Sequence, residues 1–149
     1  MGFFDFLKGK TANVWVDKNT NLMWQVDITL NLMTWYEAES YVKVMNQNQY
    51  CGFNNWRLPT IEEQEWIHRY KNLDIAWKYN KIGINPNNFE QAFFWSSTTL
   101  GERSGKILDL KSVTEEDLNN KAWNICISNA MSGYDNKTDL QCVRLIREL

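Results

Sequence analysis

The stretch that decides the fold is Asn54–Trp66, NNWRLPTIEEQEW, which runs from an arginine through a proline into a cluster of glutamates. A proline restricts the residue before it to extended backbone, so Leu58 is predicted to be extended. Thr60 and Glu63 have the Thr-x-x-Glu spacing of a capping box, in which each side chain accepts from the other residue's backbone amide. The stretch therefore predicts a sharp boundary between an extended segment and a helix that begins after Thr60.

The charges in this stretch also admit an acid–base site made of Arg57, Glu62, Glu63 and Glu65. Glu63, however, is already engaged as the second member of the capping box, and Glu62 lies at the positive end of the helix dipole. We therefore predict that Arg57 is a structural bridge beside Trp56, which pairs with a carboxylate or with loop carbonyls. Arg57→Ala is expected to lower stability without removing an activity.

Composition narrows the class of protein. A chain of 149 residues suits one domain, and a net charge of −2 gives no electrostatic footprint for nucleic acid. Eight tryptophans indicate a core built from a few large side chains, with sugar or peptide stacking by one or two of them as the alternative. No stretch approaches the roughly 18 apolar residues of a membrane span, so no membrane span is expected.

Residues 1–12 are predicted to be an N-terminal segment and residues 13–149 a single domain. The start, MGFFDFLKGK, lacks the charge order and apolar length of a signal peptide. A cytoplasmic location, or export by a route that needs no such signal, is the expectation. Phe3, Phe4, Phe6 and Leu7 are predicted to form a short turn that docks on the domain, in an oligomer or on a partner.

The first half of the domain predicts a hairpin and two helices. Residues 13–25 form the hairpin, with Asn21 where the chain needs left-handed backbone. Thr34 and Glu37 form another capping box, whose helix is predicted to stop around residues 46–48. Residues 71–91 are rich in asparagine and predict a long loop.

The second half predicts an antiparallel meander, with strands over residues 92–100, 106–113, 122–128 and 141–146. The links between them, LGERSG and NAMSGYDNKTD, have the composition of turns. In the second link, Asp135, Asn136 and Asp139 are interpreted as a solvated turn rather than a cation site. The order of elements predicts an α+β domain.

Neither the cysteines nor the lone histidine indicates catalysis. Cys51, Cys126 and Cys142 are odd in number and not closely spaced, which argues against a disulfide scaffold or a zinc site. His68 lies on the predicted helix without a nucleophile motif and is interpreted as a core or surface residue. We expect no enzyme activity, no catalytic residue, no metal and no cofactor.

Six motifs in fixed order resemble the C-terminal domain of the Lcl collagen-like adhesins, and the likeness covers residues 13–147. They are D-x-x-T-x-L-M-W-Q at Asp17–Gln25, T-W-x-E-A at Thr34–Ala38, N-W-R-L-P-T-x-x-E at Asn55–Glu63, W-S-S-T at Trp95–Thr98, A-W-N-I at Ala122–Ile125 and C-V-R at Cys142–Arg144.

The resemblance implies a C-type lectin-like fold: two helices packed on antiparallel sheets, paired N- and C-terminal strands, and long loops on one side. The best-studied branch of the family binds sulfated glycans. The motifs and their folds imply structural roles for Trp24, Thr34, Glu37, Trp56, Arg57, Pro59, Thr60, Glu63, Trp95, Trp123 and Arg144.

This sequence departs from the pattern in ways that affect function. The family's first helix often carries a cysteine where Val42 stands here, which leaves Cys142 without that partner. Calcium-dependent lectins of this fold use carboxylates where this chain has Asn85-Pro86-Asn87 and Trp123-Asn124-Ile125, so binding is expected to be calcium-independent. The net negative charge also disfavours a sulfated ligand.

The function expected from these observations is a non-catalytic module that binds a glycan or a protein. Aromatic faces flanked by amides suit a neutral glycan or an extended peptide. One alternative is a structural or assembly module of a phage-tail-like or surface apparatus. A remote alternative is an enzyme of the sulfatase-modifying type, whose catalysis needs closely placed cysteines. Cys126 and Cys142 are predicted to lie on neighbouring strands, where they could be near each other. The predicted ligand-binding residues are Trp77, Tyr79, Asn85, Asn87, Asn88 and Tyr134.

Overall fold

The structure is a computed structural model that describes residues 14–25, 31–69, 93–107, 110–127 and 129–149. Within these ranges there are three α-helices and six strands, which confirms the predicted α+β class. The helices are α1 (Trp35–Gln47), α2 (Ile61–Arg69) and α3 (Glu115–Asn120), and the strands are β1 (Val14–Asp17), β2 (Leu22–Gln25), β3 (Phe93–Thr99), β4 (Lys121–Cys126), β5 (Met131–Asn136) and β6 (Ile146–Glu148). They form two antiparallel sheets, ordered β1-β2-β6 and β3-β4-β5.

The first sheet joins the two ends of the domain. β1 and β2 form the predicted hairpin, and Asn21 has the predicted left-handed backbone with φ of 57°. β2 also pairs with β6, which confirms the pairing of N- and C-terminal strands that the family resemblance implies. The carboxylate of Asp17 accepts from Thr20 Oγ1 at 2.8 Å and from Trp66 Nε1 at 3.0 Å, so the hairpin is fixed to α2.

Helix α1 begins and ends as predicted. Thr34 and Glu37 form the capping box, and Asn48 follows the last helical residue. Four residues at helical spacing, Trp35, Ala38, Tyr41 and Met45, form its buried stripe.

The second sheet lies between two apolar clusters, because successive strand residues point to opposite faces. On one face Phe94 and Ile125 pack with Ile61 and Ile67 of α2. On the other face Trp95 and Ala122 pack with the buried stripe of α1. Five of the seven tryptophans in the described ranges are buried, which supports the core interpretation of this residue type; they are Trp24, Trp35, Trp56, Trp95 and Trp123.

Two predicted strands differ from the structure. Where a strand is predicted over residues 106–113, Leu110–Ser112 is a 3-10 helix, and a capping box between Thr114 and Asp117 then starts α3. The predicted strand at residues 141–146 is also wrong for most of its length. Gln141 and Cys142 form single bridges to two different elements, so no continuous ladder develops before Ile146.

One strand is missed by the sequence pattern. The link predicted as a turn contains β5, which pairs with β4 along its whole length. The strand is partly exposed and includes Ser132, Gly133 and Asp135, so it lacks the apolar alternation that indicates a strand. The interpretation of Asp135 and Asn136 as part of a solvated turn is therefore wrong.

Several predictions lie outside the described residues: the docking segment Phe3, Phe4, Phe6 and Leu7, and the long loop over residues 71–91. No helix in the described ranges is long and apolar enough to cross a bilayer.

Candidate functional site

Arg57, in the NNWRLPT stretch, forms ion pairs with Glu63 and Glu148. This group of three residues is called the Arg57 joint. Arg57 donates from Nη1 and Nη2 to the two carboxylate oxygens of Glu63 at 2.7 and 2.8 Å. Its Nη2 also donates to Glu148 Oε1 at 2.6 Å. The backbone of Arg57 exchanges two hydrogen bonds with Ile146, at 2.8 and 2.9 Å, so the start of α2 is fastened to the last strand.

The same Glu63 completes the second capping box. Glu63 Oε1 accepts from the Thr60 amide at 2.8 Å, and Thr60 Oγ1 accepts from the Glu63 amide at 3.2 Å. Burial opposes ionisation of Glu63, but the hydrogen bonds from Arg57 and Thr60 outweigh it and hold its pKa below the usual value. Pairing with Arg57 likewise lowers the pKa of Glu148. Arg57 thus pairs with carboxylates and also donates from Nη1 to Leu58 O at 3.2 Å, so both kinds of partner predicted for it are present.

Glu65, another acid of the opening stretch, is also bound by protein groups. It is ion-paired with Arg103 and Arg69, and its Oε1 accepts from Ser132 Oγ at 2.9 Å. These contacts fix α2 to β5 and to the segment after β3. An acid–base site in this stretch would therefore require carboxylates that already have structural partners.

A groove of about 580 Å³ lies beside the joint. Val42 and Leu58 supply apolar surface, while the guanidinium of Arg57 faces two glutamates of its own chain. The groove is therefore large, but the guanidinium of Arg57 in its lining is already neutralised by these two glutamates. Its lining is Glu39, Val42, Lys43, Arg57, Leu58, Thr60 and Ser97.

A second cavity of about 340 Å³, called the β4–β5 pocket, has a polar cluster in its wall. Asn124 Nδ2 donates to Asp135 Oδ2 at 2.7 Å and to Gln141 Oε1 at 3.1 Å. Gln141 Nε2 donates to the same Asp135 oxygen at 2.8 Å. The pocket is lined by Phe93, Asn124, Gly133, Tyr134, Asp135, Asp139, Leu140 and Gln141.

Two members of this polar cluster are buried. Asn124 is 1% exposed and Gln141 is 4% exposed. A Cβ atom at Gly133 would lie 3.4 Å from Asn124 Oδ1, so the glycine leaves space in front of that oxygen. No protein donor bonds Asn124 Oδ1 or Asp135 Oδ1 among the contacts of the described residues. The cluster therefore presents acceptor oxygens at the pocket.

Tyr134 borders the pocket but does not form its polar wall. Its ring packs edge-on against Trp123, with centroids 5.3 Å apart, and these two residues are paired across the strands. Because strand residues alternate, Asn124, Gly133 and Asp135 share the opposite face. Trp77, Tyr79, Asn85, Asn87 and Asn88, the other predicted ligand-binding residues, lie outside the described residues.

Sequence reasoning missed Asn124 and Gln141 as functional candidates. Asn124 stands in the Trp-Asn-Ile motif, where the sequence indicates only that a following carboxylate is lacking. Gln141 was assigned to a strand, and nothing in its neighbourhood signals that its amide reaches Asp135. The pairing of β4 with β5 brings these residues together, and that pairing was not predicted.

The cysteine geometry corrects one expectation. Cys126 pairs with Phe93 on one side of β3, whereas Cys142 bridges to Phe94 on the other side. Two strand spacings of about 4.8 Å each separate their backbones. The sum of the two spacings exceeds the roughly 7 Å limit between the Cα atoms of a disulfide. None of the three cysteines, which all lie in the described ranges, forms a disulfide, and burial raises the pKa of Cys142 to about 11. The placement of Cys126 and Cys142 on neighbouring strands is wrong, because β3 lies between them.

His68 is a core residue. It is 3% exposed, and burial together with the positive charge of Arg144 lowers its pKa to about 3. The imidazole is therefore neutral in the folded protein at neutral pH. Among the described residues, no group of three or more His, Cys, Asp or Glu side chains could hold a metal ion.

Four more of the residues predicted as structural, Trp56, Pro59, Trp95 and Arg144, contact other segments of the chain. Trp56 Nε1 donates to Tyr50 O at 2.8 Å, and Trp95 Nε1 donates to Met33 O at 3.0 Å. Pro59 O accepts from the Ser97 amide at 2.8 Å. Arg144, which is 1% exposed, lies over the ring of Phe94 at 5.5 Å.

The fold and the pocket define a small α+β domain with a structural ionic joint and a separate polar cavity. The family model of the Lcl C-terminal domain matches residues 13–147. The chain belongs to this family, as the six ordered motifs indicated. No curated protein matches the sequence.

Proposed function

We propose that this protein is a non-catalytic binding module on a C-type lectin-like scaffold, and that it binds a glycan without calcium at the β4–β5 pocket. The observation that carries the proposal is the hydrogen-bonded cluster in which the buried Asn124 and Gln141 hold the partly buried Asp135. Support for the scaffold comes from the family, the two helices packed with antiparallel sheets, and the pairing of β2 with β6.

The chemistry of the pocket suits sugar hydroxyl groups. Binding sites for small ligands combine apolar walls with a few polar groups held in fixed positions. Phe93 and Leu140 supply apolar surface here, and Leu140 is 56% exposed. Asn124 and Asp135 supply acceptors for hydroxyl donors. Calcium would require six to eight oxygen ligands, several of them carboxylates, and the described residues contain no group of three or more His, Cys, Asp or Glu side chains that could hold it, which favours direct binding.

A glycan array followed by NMR titration of the full chain tests the proposal. We expect a glycan that binds at micromolar concentration and shifts the amide signals of residues 133–141. Gly133→Val should abolish binding, because its side chain would enter the space in front of Asn124 Oδ1. Ser97→Val is the matched control, since Ser97 also lies on a strand but lines the other groove. Absence of any glycan ligand, or equal loss in both variants, would refute the proposal.

An assembly module of a phage-tail-like or surface apparatus is the second candidate. Met131 at the start of β5 is 61% exposed, and Leu140 nearby in sequence is 56% exposed, so apolar side chains are available to a protein. Size-exclusion chromatography should then show an oligomer or complex that Met131→Lys or deletion of residues 1–10 disrupts. An unchanged elution volume in both variants would count against assembly through these segments.

The sulfatase-modifying alternative predicts reactive cysteines that cooperate. The separation of Cys126 from Cys142 by β3 and the raised pKa of Cys142 both disfavour it. Thiol labelling of the native protein should leave Cys142 unmodified. Rapid labelling of Cys142 together with loss of an activity in Cys142→Ser would revive the enzyme hypothesis.

A further inference from the structure

We infer that the β4–β5 pocket selects a saccharide that carries a primary ammonium group, such as an oligomer of glucosamine, over neutral or sulfated sugars. The inference rests on the proposed function and concerns the charge of its ligand. It starts from the two carboxylates, Asp135 and Asp139, that line the pocket together.

Neither carboxylate is neutralised by the protein residues that the structure describes. The ion pairs found there join Arg57, Arg69, Arg103 and Lys121 to other acids, and none includes Asp135 or Asp139. A sulfate or carboxylate on a ligand would be repelled by this pair of charges. An ammonium group would be attracted and would donate up to three hydrogen bonds.

The amide cluster strengthens the same preference. Both N–H bonds of the Asn124 amide are directed to Asp135 and Gln141, so Asn124 can offer a ligand only its Oδ1. This side chain is 1% exposed and cannot turn away without leaving its partners. The pocket thus offers mainly acceptors, and a ligand must bring donors. Hydroxyls and an ammonium on one sugar ring meet that demand together, whereas the tip of a lysine side chain brings only the ammonium.

The test compares two oligomers of equal length, one of glucosamine and one of N-acetylglucosamine, by calorimetric titration of the full chain at about pH 6, where such an amine is protonated. The glucosamine oligomer should bind about tenfold more tightly, the gain of one charge-assisted contact. Asp135→Asn and Asp139→Asn should each lower the affinity for the glucosamine oligomer more than the affinity for the N-acetylglucosamine oligomer, so that the difference between the two falls to about twofold or less. Glu39→Gln, an exposed acid on the other groove, is the control and should change neither affinity.

Equal affinity for the two oligomers, or a neutral glycan from the array that binds the pocket more tightly, overturns the charge inference and leaves the proposed function standing. Absence of every saccharide ligand overturns both. The last titration uses a lysine oligomer that carries the same charge as the glucosamine oligomer. If it binds as tightly as the glucosamine oligomer and depends on the same two aspartates, the ligand is a basic peptide and the saccharide inference is wrong. Unchanged thermal unfolding midpoints show that the variants are folded.

Discussion

The Arg57 joint and the β4–β5 pocket both hold carboxylates within hydrogen-bond networks, but their charges are balanced differently. In the joint, Glu63 and Glu148 share one guanidinium that binds both. In the pocket, Asp135 accepts from two neutral amides, and the described residues pair it with no cation. The joint is therefore complete without a ligand, while the pocket retains an unneutralised charge beside a cavity.

This difference separates structural charge from charge that is available for binding. The joint has the stronger signal in sequence, since arginine and glutamates cluster within one motif. The pocket has almost none, because its members come from positions 124, 135 and 141. The density of charged residues along the chain is consequently a poor guide to the site, and the balance of charge in space is a better one.

Substitution of Arg57, the only cation of the Arg57 joint, should have the largest effect on stability. Arg57→Ala is expected to lower the free energy of unfolding by about 2–3 kcal/mol, because two carboxylates lose their shared partner. The loss is no larger because solvent screens the ion pairs of the partly exposed Arg57. Denaturant unfolding measures it. Arg57→Lys should recover only part of the loss, because an ammonium cannot form the two parallel bonds to Glu63. A stable Arg57→Ala protein that no longer binds glycan would reverse the assignment of the two regions.

As the pH falls, we expect the core residue His68 to reduce the stability of the protein at a higher pH than the carboxylates of the Arg57 joint do. The pKa of His68 is lowered to about 3, so the folded protein excludes a proton that the unfolded chain binds below pH 6.5. Stability is then full above about pH 6.5 and falls as pH decreases, by about 1.5–2 kcal/mol between pH 6.5 and 5. Glu63 and Glu148 have lowered pKa values, so their contribution remains until pH falls below their usual values near 4.5.

Denaturant unfolding at several pH values measures this loss. His68 is the only histidine in the chain, so its NMR signals can be followed without ambiguity. A flat stability profile between pH 6.5 and 5, or a histidine that titrates near 6.5 in the folded protein, would contradict the buried neutral state.

A matched pair of substitutions addresses the comparison most directly. Glu63→Gln should cost about 1–2 kcal/mol, because it leaves Arg57 with a neutral acceptor and weakens the capping box. Asp135→Asn should change stability by less than about 0.5 kcal/mol, because an amide oxygen can still accept from Asn124 and Gln141. Thermal unfolding of both variants gives the result. Similar costs at both sites would show that the pocket carboxylate is structural too.

The smallest effect is expected at the far end of α2, where Arg69 Nε donates to Ala130 O at 2.9 Å. Ala130 has left-handed backbone with φ of 58°, which is costly for a residue with a Cβ atom. Ala130→Gly should stabilise the protein by about 0.5 kcal/mol. The substitution relieves the backbone strain, and the greater conformational freedom of glycine in the unfolded chain offsets part of that gain. Asn21→Gly is the control and should be nearly neutral, because asparagine tolerates this conformation. A destabilised Ala130→Gly protein would show that the turn is not strained.

The parts of the fold that were predicted correctly depend on contacts close in sequence. Thr34 with Glu37, and Thr60 with Glu63, need only three residues to define a helix start. Asn21 and the hairpin around it are similarly local. Strand β5 was missed because its polar residues are stable in a strand only when β4 pairs with them. The 3-10 helix at Leu110–Ser112 was hidden beneath an apparent alternation over residues 106–113, and α3, which follows it, was not predicted.

The sequence by itself determined the starts of α1 and α2, the hairpin, the α+β class and, through six ordered motifs, the family. These features rest on backbone preferences and capping within a few residues. The tertiary structure alone decided that Arg57 is neutralised by Glu148 from the end of the chain, that β3 separates Cys126 from Cys142, and that Asn124, Asp135 and Gln141 meet. Charge balance and hydrogen bonding across such distances depend on strand pairing, and no local pattern of residues reports it.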